Sequence, residues 1–134
     1  MDNPRKIDIH QKILNAAERL SDQHDIVIYE GTGHPGVGSV ADVSNATVAK
    51  LLNAGVVMVV EGGIGNTIDK LNLSLSLFRE KKVPVIGVII NKIRPDKIEK
   101  IGYYVNKWLI ENKLPLLGLV PYDQSLAHPL IKTV

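Results

Sequence analysis

Four short runs of continuous apolar residues recur along the chain at nearly equal spacing, and they constrain its fold more than any other feature. They are Ile26–Glu30 (IVIYE), Val56–Glu61 (VVMVVE), Val85–Asn91 (VIGVIIN) and Leu116–Pro121 (LLGLVP). Apolar runs of this length that do not alternate with polar residues are typical of strands covered on both faces, as in a parallel sheet. We therefore expect a parallel sheet of about four strands.

Segments with helical signals lie before and between these runs. Asp8 is a suitable N-cap for the first helix, Gly55 is suited to a left-handed cap after the second, and Pro95 suits the first position of the last. Helices are predicted over residues 8–20, 44–54, 66–82 and 95–109. The sequence thus predicts an α/β fold with helices on both faces of the sheet.

The third of these helices conflicts with its local pattern. Residues Leu71–Phe78 alternate with a period of two, as a half-buried strand would. Two parallel strands, however, need a crossover of a dozen or more residues between them. We therefore predict a helix here.

Composition limits the domain count and the classes of partner. With 134 residues, of which 45% are hydrophobic, the chain is expected to form a single domain over residues 1–134. Its 16 Lys and Arg against 14 Asp and Glu are scattered, so no nucleic-acid partner is expected. It has no cysteine, which suits the cytoplasm. The longest apolar run, VPVIGVII, falls short of the roughly 20 residues of a spanning helix, so no membrane partner is expected.

The residues that follow each apolar run are polar or rich in glycine. In open parallel sheets, ligands bind at the carboxyl ends of the strands. The four ends are Glu30 with a glycine loop, Glu61 with GGIGN, Asn91-Lys92, and Pro121-Tyr122-Asp123. We expect these ends to form a ligand site at one edge of the sheet.

The loop after Glu30, GTGHPGVGS, carries the strongest signal. Its glycines permit a positive φ and a close approach of the backbone, so their N–H groups can cradle a phosphate or a carboxylate. These glycines are Gly31, Gly33, Gly36 and Gly38. Glu30 offers an oxygen ligand for Mg²⁺ or a group that orients an attacking water. The alternative is that the glycines merely turn the chain.

Two acidic or basic side chains near these ends have open roles. His34 would contact a phosphate or act as a base, or would simply be an exposed loop residue. Glu61 would face the ligand beside Glu30, or would pair with a lysine. For Asp42, Ser44 and Asn45 we favour helix capping over substrate contact.

Two nucleotide-binding motifs match the loop only in part. Gly33 and Gly38 have the spacing of the Walker A glycines, but Ser39 and Val40 stand where Lys and Ser or Thr belong. The G-x-G-x-x-G dinucleotide fingerprint is matched by glycines, yet Pro35 lies inside it and no periodic helix begins before about Ser44. Neither motif is therefore assigned.

Four segments together carry a family resemblance: DIVIYEGTGHPGVGS, VVEGGIG, GVIINK and LLGLVPYD. In this order and spacing they resemble the later part of the P-loop nucleotide-binding fold of the dethiobiotin synthetase and cobyrinic acid a,c-diamide synthase superfamily. A similar domain precedes the catalytic part of some phosphotransacetylases. The resemblance covers nearly the whole chain from Asp25 onward.

The resemblance implies roles for individual residues around Mg²⁺ and ATP. Glu30 would help to hold Mg²⁺ beside the phosphates, as a catalytic and metal-binding residue. Asn91 would bind the nucleotide base, and Pro121 would line the base pocket. Arg94 replaces the acid of the guanine-reading N-K-x-D motif, which favours adenine. The residues expected on the phosphate and substrate side are Gly31, Thr32 and Gly33, with Gly36 and Gly38 in the same loop.

The family pattern begins with a Walker A segment that this sequence lacks before Ile7. The chain is therefore expected to be incomplete relative to its family, as a fragment of a longer protein or as a degenerate member that does not hydrolyse nucleotide. In the family fold the missing strand lies inside the sheet, so Ile26–Glu30 would have an unpaired edge. We expect self-association to cover that edge, which light scattering can test.

Three hypotheses of function remain open. The first is a Mg²⁺–ATP-binding domain of an ATP-dependent ligase or ATPase-like enzyme. The second is a non-catalytic regulatory or assembly domain of the same fold. The third is a flavodoxin-like or Rossmann-like domain that binds another phosphorylated cofactor.

Overall fold

A computed structural model describes residues 4–36, 38, 43–63 and 65–127. The helices are α1 (Pro4–Ser21), α2 (Asn45–Leu51), α3 (Gly65–Glu80), α4 (Ile98–Glu111) and α5 (Gln124–Ala127). The strands are β1 (Val56–Glu61), β2 (Val85–Ile93) and β3 (Leu116–Pro121), and a 3₁₀ turn, Pro95–Lys97, leads into α4. Among the helices in these ranges, none is both long and apolar enough to cross a membrane.

The three strands form one parallel sheet in the order β1-β2-β3, and helices flank it. The central strand, β2, makes the ladder with both neighbours. Its pairing with β3 shifts register twice, between Val88 and Ile89 and between Ile90 and Ile93. The α/β class and the parallel sheet predicted from the apolar runs are confirmed, with three strands in the sheet.

The prediction of a strand over Ile26–Glu30 is wrong. The segment takes no regular structure, and its backbone forms no ladder with any other described strand. Ile26 is 79% exposed and Ile28 is 90% exposed. A strand exists only through hydrogen bonds to a neighbour, so an apolar run without one stays irregular. Self-association through this segment stays a prediction.

Three helices end in the same way, with a left-handed residue that is not glycine. Asn53, Lys82 and Lys113 have φ values of 50°, 55° and 58°. In each case the next residue donates its N–H back into the last turn, as Leu114 does to the carbonyl of Leu109 at 2.9 Å. This is the Schellman arrangement, which satisfies carbonyls at the helix end. The helix after the first loop is therefore capped at Asn53 and not at the expected Gly55.

The other helix predictions are confirmed in the main. The alternating segment Leu71–Phe78 lies in α3, as the crossover argument requires. Pro95 occupies the start of the 3₁₀ turn before α4. Asp8 is not an N-cap, because α1 already begins at Pro4; its carboxylate instead pairs with Lys12 one turn on, at 2.7 Å.

The described residues pack into two compact units. The described residues of the first lie within Met1–Val56 and Leu73–Val85, and those of the second lie within Val57–Asn72 and Ile86–Val134. Buried apolar residues of the first unit are Ala17, Ala46, Leu75, Phe78 and Val83. Those of the second are Met58, Leu71, Val88, Ile90, Ile93, Ile101, Val105, Leu109 and Leu114. The single domain over residues 1–134 stays a prediction.

Within the second unit, α4 packs closely on β3. Gly102 is buried in this helix, and a Cβ atom there would lie 2.8 Å from Cδ1 of Leu119. The missing side chain therefore lets the helix approach the strand. This contact compensates for the low helix propensity of glycine.

The central strand offers a matched pair for testing which of its positions lie in the core. Ile90 is fully buried, whereas Ile86, on the same strand, is 55% exposed. Ile90→Ala is expected to lower the free energy of unfolding by about 2–5 kcal/mol, because it leaves a cavity. Ile86→Ala is expected to cost about 1 kcal/mol or less. Urea denaturation of both variants measures the difference, and equal losses would contradict this assignment of the core.

Candidate functional site

The ends of β1 and β2 are joined by an ion pair. Nζ of Lys92 donates a hydrogen bond of 2.7 Å to Oε1 of Glu61. Both side chains are more than half exposed, at 57% and 62%. Of the two roles left open for Glu61, the structure shows pairing with a lysine. An exposed pair of this kind positions charges at the sheet edge more than it stabilises the fold.

A β-bulge places Lys92 and the residue before it. Between Ile90 and Ile93, β2 advances by three residues while β3 advances by two, so β2 carries one extra residue. Lys92 has a φ of 55°, in the left-handed region. A bulge bends the strand and re-aims its side chains, and bulges are frequent beside active sites. The predicted site residue Asn91 therefore lies at a local irregularity that interrupts regular pairing.

The carboxamide oxygen of Asn91 takes part in a hydrogen bond within the bulge. Its Oδ1 accepts a hydrogen bond of 2.8 Å from the backbone N–H of Lys92. Its backbone carbonyl accepts one of 2.7 Å from the N–H of Gly62. The Nδ2 amide has no partner among the described residues, so it retains two donors for a ligand.

The glycine that follows β1 is required by packing. A Cβ atom on Gly62 would lie 2.7 Å from Cγ1 and 2.9 Å from Cα of Ile93. Any side chain here would push the ends of β1 and β2 apart. By contrast, a Cβ atom on Gly63 would meet only Oγ1 of Thr67, at an ordinary 3.7 Å. Thr67 is itself buried and donates to the carbonyl of Glu61 at 2.7 Å.

The third strand ends beside the second. Pro121 pairs with Ile93, and the N–H of Tyr122 donates to the carbonyl of Ile93 at 2.7 Å. Asp123 then caps α5: its Oδ1 accepts from the N–H and the hydroxyl of Ser125, at 2.8 and 2.7 Å. These hydrogen bonds from Ser125 lower the pKa of Asp123. Pro121 is exposed at this edge, close in the ladder to the bulge.

A basic cleft beside these strand ends is a feature that sequence reasoning missed. It has a volume of about 280 Å³ and is lined by Gly62, Gly63, Arg94, Lys97, Lys100 and Ile101. Its three cations recur at intervals of three residues through the 3₁₀ turn and into α4, which brings them to one side of the segment. That spacing was the available signal, but it is inconspicuous in a chain with scattered charges.

In the first unit, the glycine loop is held by the start of α2. Nδ2 of Asn45 donates to the carbonyls of Thr32 and His34, at 2.9 and 3.0 Å. The N–H of Ala46 donates to the carbonyl of Pro35 at 3.1 Å. The oxygen of Ser44 accepts from the N–H of Thr47 at 3.1 Å and caps the helix. Ser44 caps the helix, as expected, whereas Asn45 holds the loop, and Asp42 lies outside the described residues.

Two of the four loop glycines have a positive φ, the conformation for which glycine was expected in this loop. Gly33 has a φ of 69° and Gly38 a φ of 92°. A Cβ atom on Gly38 would also lie 2.6 Å from the carbonyl oxygen of Val43, so only glycine fits there. The N–H of Gly36 donates to Nδ1 of His34 at 3.2 Å. That bond uses His34 within the loop and places the proton of the neutral imidazole on Nε2.

The predicted metal ligand Glu30 is exposed, directly before this loop. Among the described residues, no three His, Asp or Glu side chains cluster as a metal site. Mg²⁺ in nucleotide sites is commonly held by one or two carboxylates together with phosphates and water. A single accessible carboxylate such as Glu30 fits that kind of coordination, in which the ligand phosphates supply the remaining charge.

The structure thus brings together one part of the predicted site. Asn91, Lys92, Glu61 and Pro121 all lie at the ends of the paired strands of the second unit. Glu30 and the glycine loop belong to the first unit. The roles expected for Gly31, Thr32, Gly33, Gly36 and Gly38 in binding phosphate stay predictions, as do those of Glu30, Asn91 and Pro121.

The parallel α/β sheet is consistent with part of a P-loop NTPase-like domain. A protein-family model described as "AAA domain" matches residues 2–129, and the chain belongs to this family. The match favours a P-loop NTPase-like interpretation over a flavodoxin-like or Rossmann-like one.

Relatives with assigned names extend this comparison. A probable cobyric acid synthase from Thermococcus kodakarensis is 32% identical over 124 residues, 88% of this chain and 25% of that protein. A cobyric acid synthase from Geobacillus kaustophilus is 36% identical over 120 residues, 86% of this chain and 23% of that protein. A phosphate acetyltransferase from Synechocystis sp. is 28% identical over 120 residues, 86% of this chain and 17% of that protein.

The chain therefore spans about a quarter or less of the length of these curated relatives. No solved structure is significantly similar to it. The comparisons support the superfamily, with likeness to cobyric acid synthases and phosphate acetyltransferase.

The ion pair between Glu61 and Lys92 shifts the pKa of both groups. The hydrogen bond from Lys92, followed by the charge of Lys92, lowers the pKa of Glu61 from its usual value, and Lys70 contributes less. Reciprocally, the hydrogen bond to Glu61 raises the pKa of Lys92. Because the folded pKa of Glu61 is depressed, the pair contributes at neutral pH, and its contribution is lost as the pH falls through that folded pKa.

Lys92→Met is expected to raise the pKa of Glu61 towards that of an ordinary glutamate, because it removes both the hydrogen bond and the nearest charge. Lys70→Met, a matched exposed control, should raise it by less. A carboxyl-carbon NMR titration measures both variants. An unchanged pKa in Lys92→Met, or a larger rise in Lys70→Met, would contradict the ion pair.

Proposed function

We propose that this chain is the Mg²⁺–ATP-binding domain of an ATP-dependent ligase, of the dethiobiotin synthetase and cobyrinic acid synthase type. The observation that carries the proposal is the bulge at Asn91–Lys92, which exposes an unpaired amide donor at the carboxyl edge of the sheet. Likeness to cobyric acid synthases supports this chemistry. The absence of cysteine supports a cytoplasmic location.

In this proposal Asn91 binds the base. Its Nδ2 group donates to a ring nitrogen, while its Oδ1, which already accepts from Lys92, keeps a lone pair for the exocyclic amine of adenine. Pro121 supplies an apolar surface beside the ring. The bulge fixes the carboxamide in place, so little conformational entropy is lost when the base binds.

The phosphates and the metal are assigned to the residues for which the family resemblance implies that role. Glu30 would provide one carboxylate oxygen to Mg²⁺, which would supply charge neutralisation at the phosphates. The backbone of Gly31, Thr32 and Gly33 approaches the phosphates and the substrate. Gly36 and Gly38 shape the loop, Gly36 through its bond to His34 and Gly38 through its left-handed conformation.

A non-catalytic domain of the same fold, acting in ligand sensing or assembly, is the second candidate. It shares the binding site but not the turnover. Release of phosphate from ATP separates it from the first candidate, whereas binding of ATP does not.

Calorimetric titration with ATP, in the presence and absence of Mg²⁺, tests the proposed site. Asn91→Ala is expected to weaken binding about tenfold, the effect of losing roughly one to two hydrogen bonds. Glu30→Ala is expected to abolish the dependence on Mg²⁺ while leaving weak metal-free binding. Each change removes a group that the proposal places on the ligand.

Matched controls exist for both variants. Asn15→Ala and Glu18→Ala alter exposed residues of the same types that have no proposed contact. They should bind as the parent chain does. Failure of the parent chain to bind ATP, or equal weakening by a control and its test variant, would sink the proposal.

A further inference from the structure

We propose that the basic cleft beside the ends of β1 and β2 binds a phosphate group of a small ligand. The cleft is lined by Gly62, Gly63, Arg94, Lys97, Lys100 and Ile101, all within the second unit. Its volume of about 280 Å³ is just below the roughly 300–1,000 Å³ of typical ligand pockets. It therefore suits an anionic group rather than a complete large cofactor.

Of the three cations that line the cleft, Arg94 is paired with a carboxylate, whereas the two lysines are not. The guanidinium of Arg94 makes two hydrogen bonds with the carboxylate of Asp96, of 3.0 and 2.9 Å. This fork fixes the position of the arginine and lowers the pKa of Asp96. Lys97 and Lys100 form no ion pair with any of the described residues, although the charge of Lys97 also lowers the pKa of Asp96. An excess of positive charge therefore remains at the cleft.

The position of the two lysines adds to this excess. Lys97 is the N-cap residue of α4, and Lys100 lies in its first turn. The amino end of a helix carries a partial positive charge, so cations are unfavourable there and anions are stabilising. Glu99 lies in the same turn but does not line the cleft. A bound anion would relieve repulsion that the protein itself leaves uncompensated.

One glycine of the cleft has no packing role that explains it. Gly62 must lack a side chain because Ile93 lies against it, but Gly63 has room for a Cβ atom and no positive φ. What a side chain on Gly63 would do is narrow the cleft. Its absence lets a ligand approach the backbone opposite the cations.

The shared chemistry is a phosphate group, which has two sources. It belongs either to the nucleotide of the proposed function or to a separate phosphorylated small molecule. The proposal rests on the proposed function only for the first source, because binding of a free phosphate compound requires neither Asn91 nor Glu30.

Isothermal titration with pyrophosphate at low ionic strength tests the cleft. Lys100→Gln is expected to weaken binding about tenfold or more, as expected for the loss of a charge-assisted hydrogen bond. Gly63→Ala should weaken it by narrowing the cleft while leaving thermal stability unchanged. Lys107→Gln, on the same helix, and Gly118→Ala, where a Cβ atom would meet nothing within 4 Å, are the matched controls.

Competition identifies the source of the phosphate, and either result supports the cleft. If Mg²⁺–ATP displaces pyrophosphate, the group belongs to the nucleotide; if both bind together, a separate ligand is indicated. If the Asn91→Ala variant still binds pyrophosphate, the cleft binds phosphate independently of the proposed nucleotide site. The proposal is overturned if pyrophosphate does not bind, or if the controls weaken binding as much as Lys100→Gln and Gly63→Ala.

Discussion

The hydrogen-bonded ladder of β2 with its two neighbours is the interaction on which the rest of the structure depends. β2 is central in the sheet, and its residues Val88, Ile90 and Ile93 are fully buried. The ladder aligns the carboxyl ends of the three strands at one edge. Where it breaks, at the extra residue before Ile93, the polar side chains of the candidate site emerge. Core and site are thus set by the same strand.

The edge concentrates charged and hydrogen-bonding groups. The Glu61–Lys92 pair joins two strand ends, the Asn91 amide keeps free donors, and a cleft with uncompensated cations lies alongside. Polar groups held by backbone geometry need little reorganisation when a ligand arrives. Family membership and the likeness to cobyric acid synthases support a P-loop NTPase-like domain.

Local pattern was sufficient for much of this fold but not for features set by distant partners. The strands β1, β2 and β3 were predictable because a strand buried on both faces has a continuous run of apolar residues. The helix α3 was predictable because parallel strands need a crossover between them. Ile26–Glu30 is also a continuous apolar run, yet it has no described neighbouring strand with which to form a ladder. The left-handed Lys92 and its pairing with Glu61 depend on register between strands, which residue types do not reveal. Left-handed helix ends at Lys82 and Lys113 likewise gave no glycine signal.

The most direct test of the central claim is a backbone-amide NMR map of the chain with and without Mg²⁺–ATP. The claim is that the ligand edge lies at the carboxyl ends of the paired strands. The largest shift changes are therefore predicted at Gly62, Gly63, Asn91, Lys92 and Tyr122. Changes confined to α1 or to the last turns of α4, or no changes at saturating ligand, would contradict the claim.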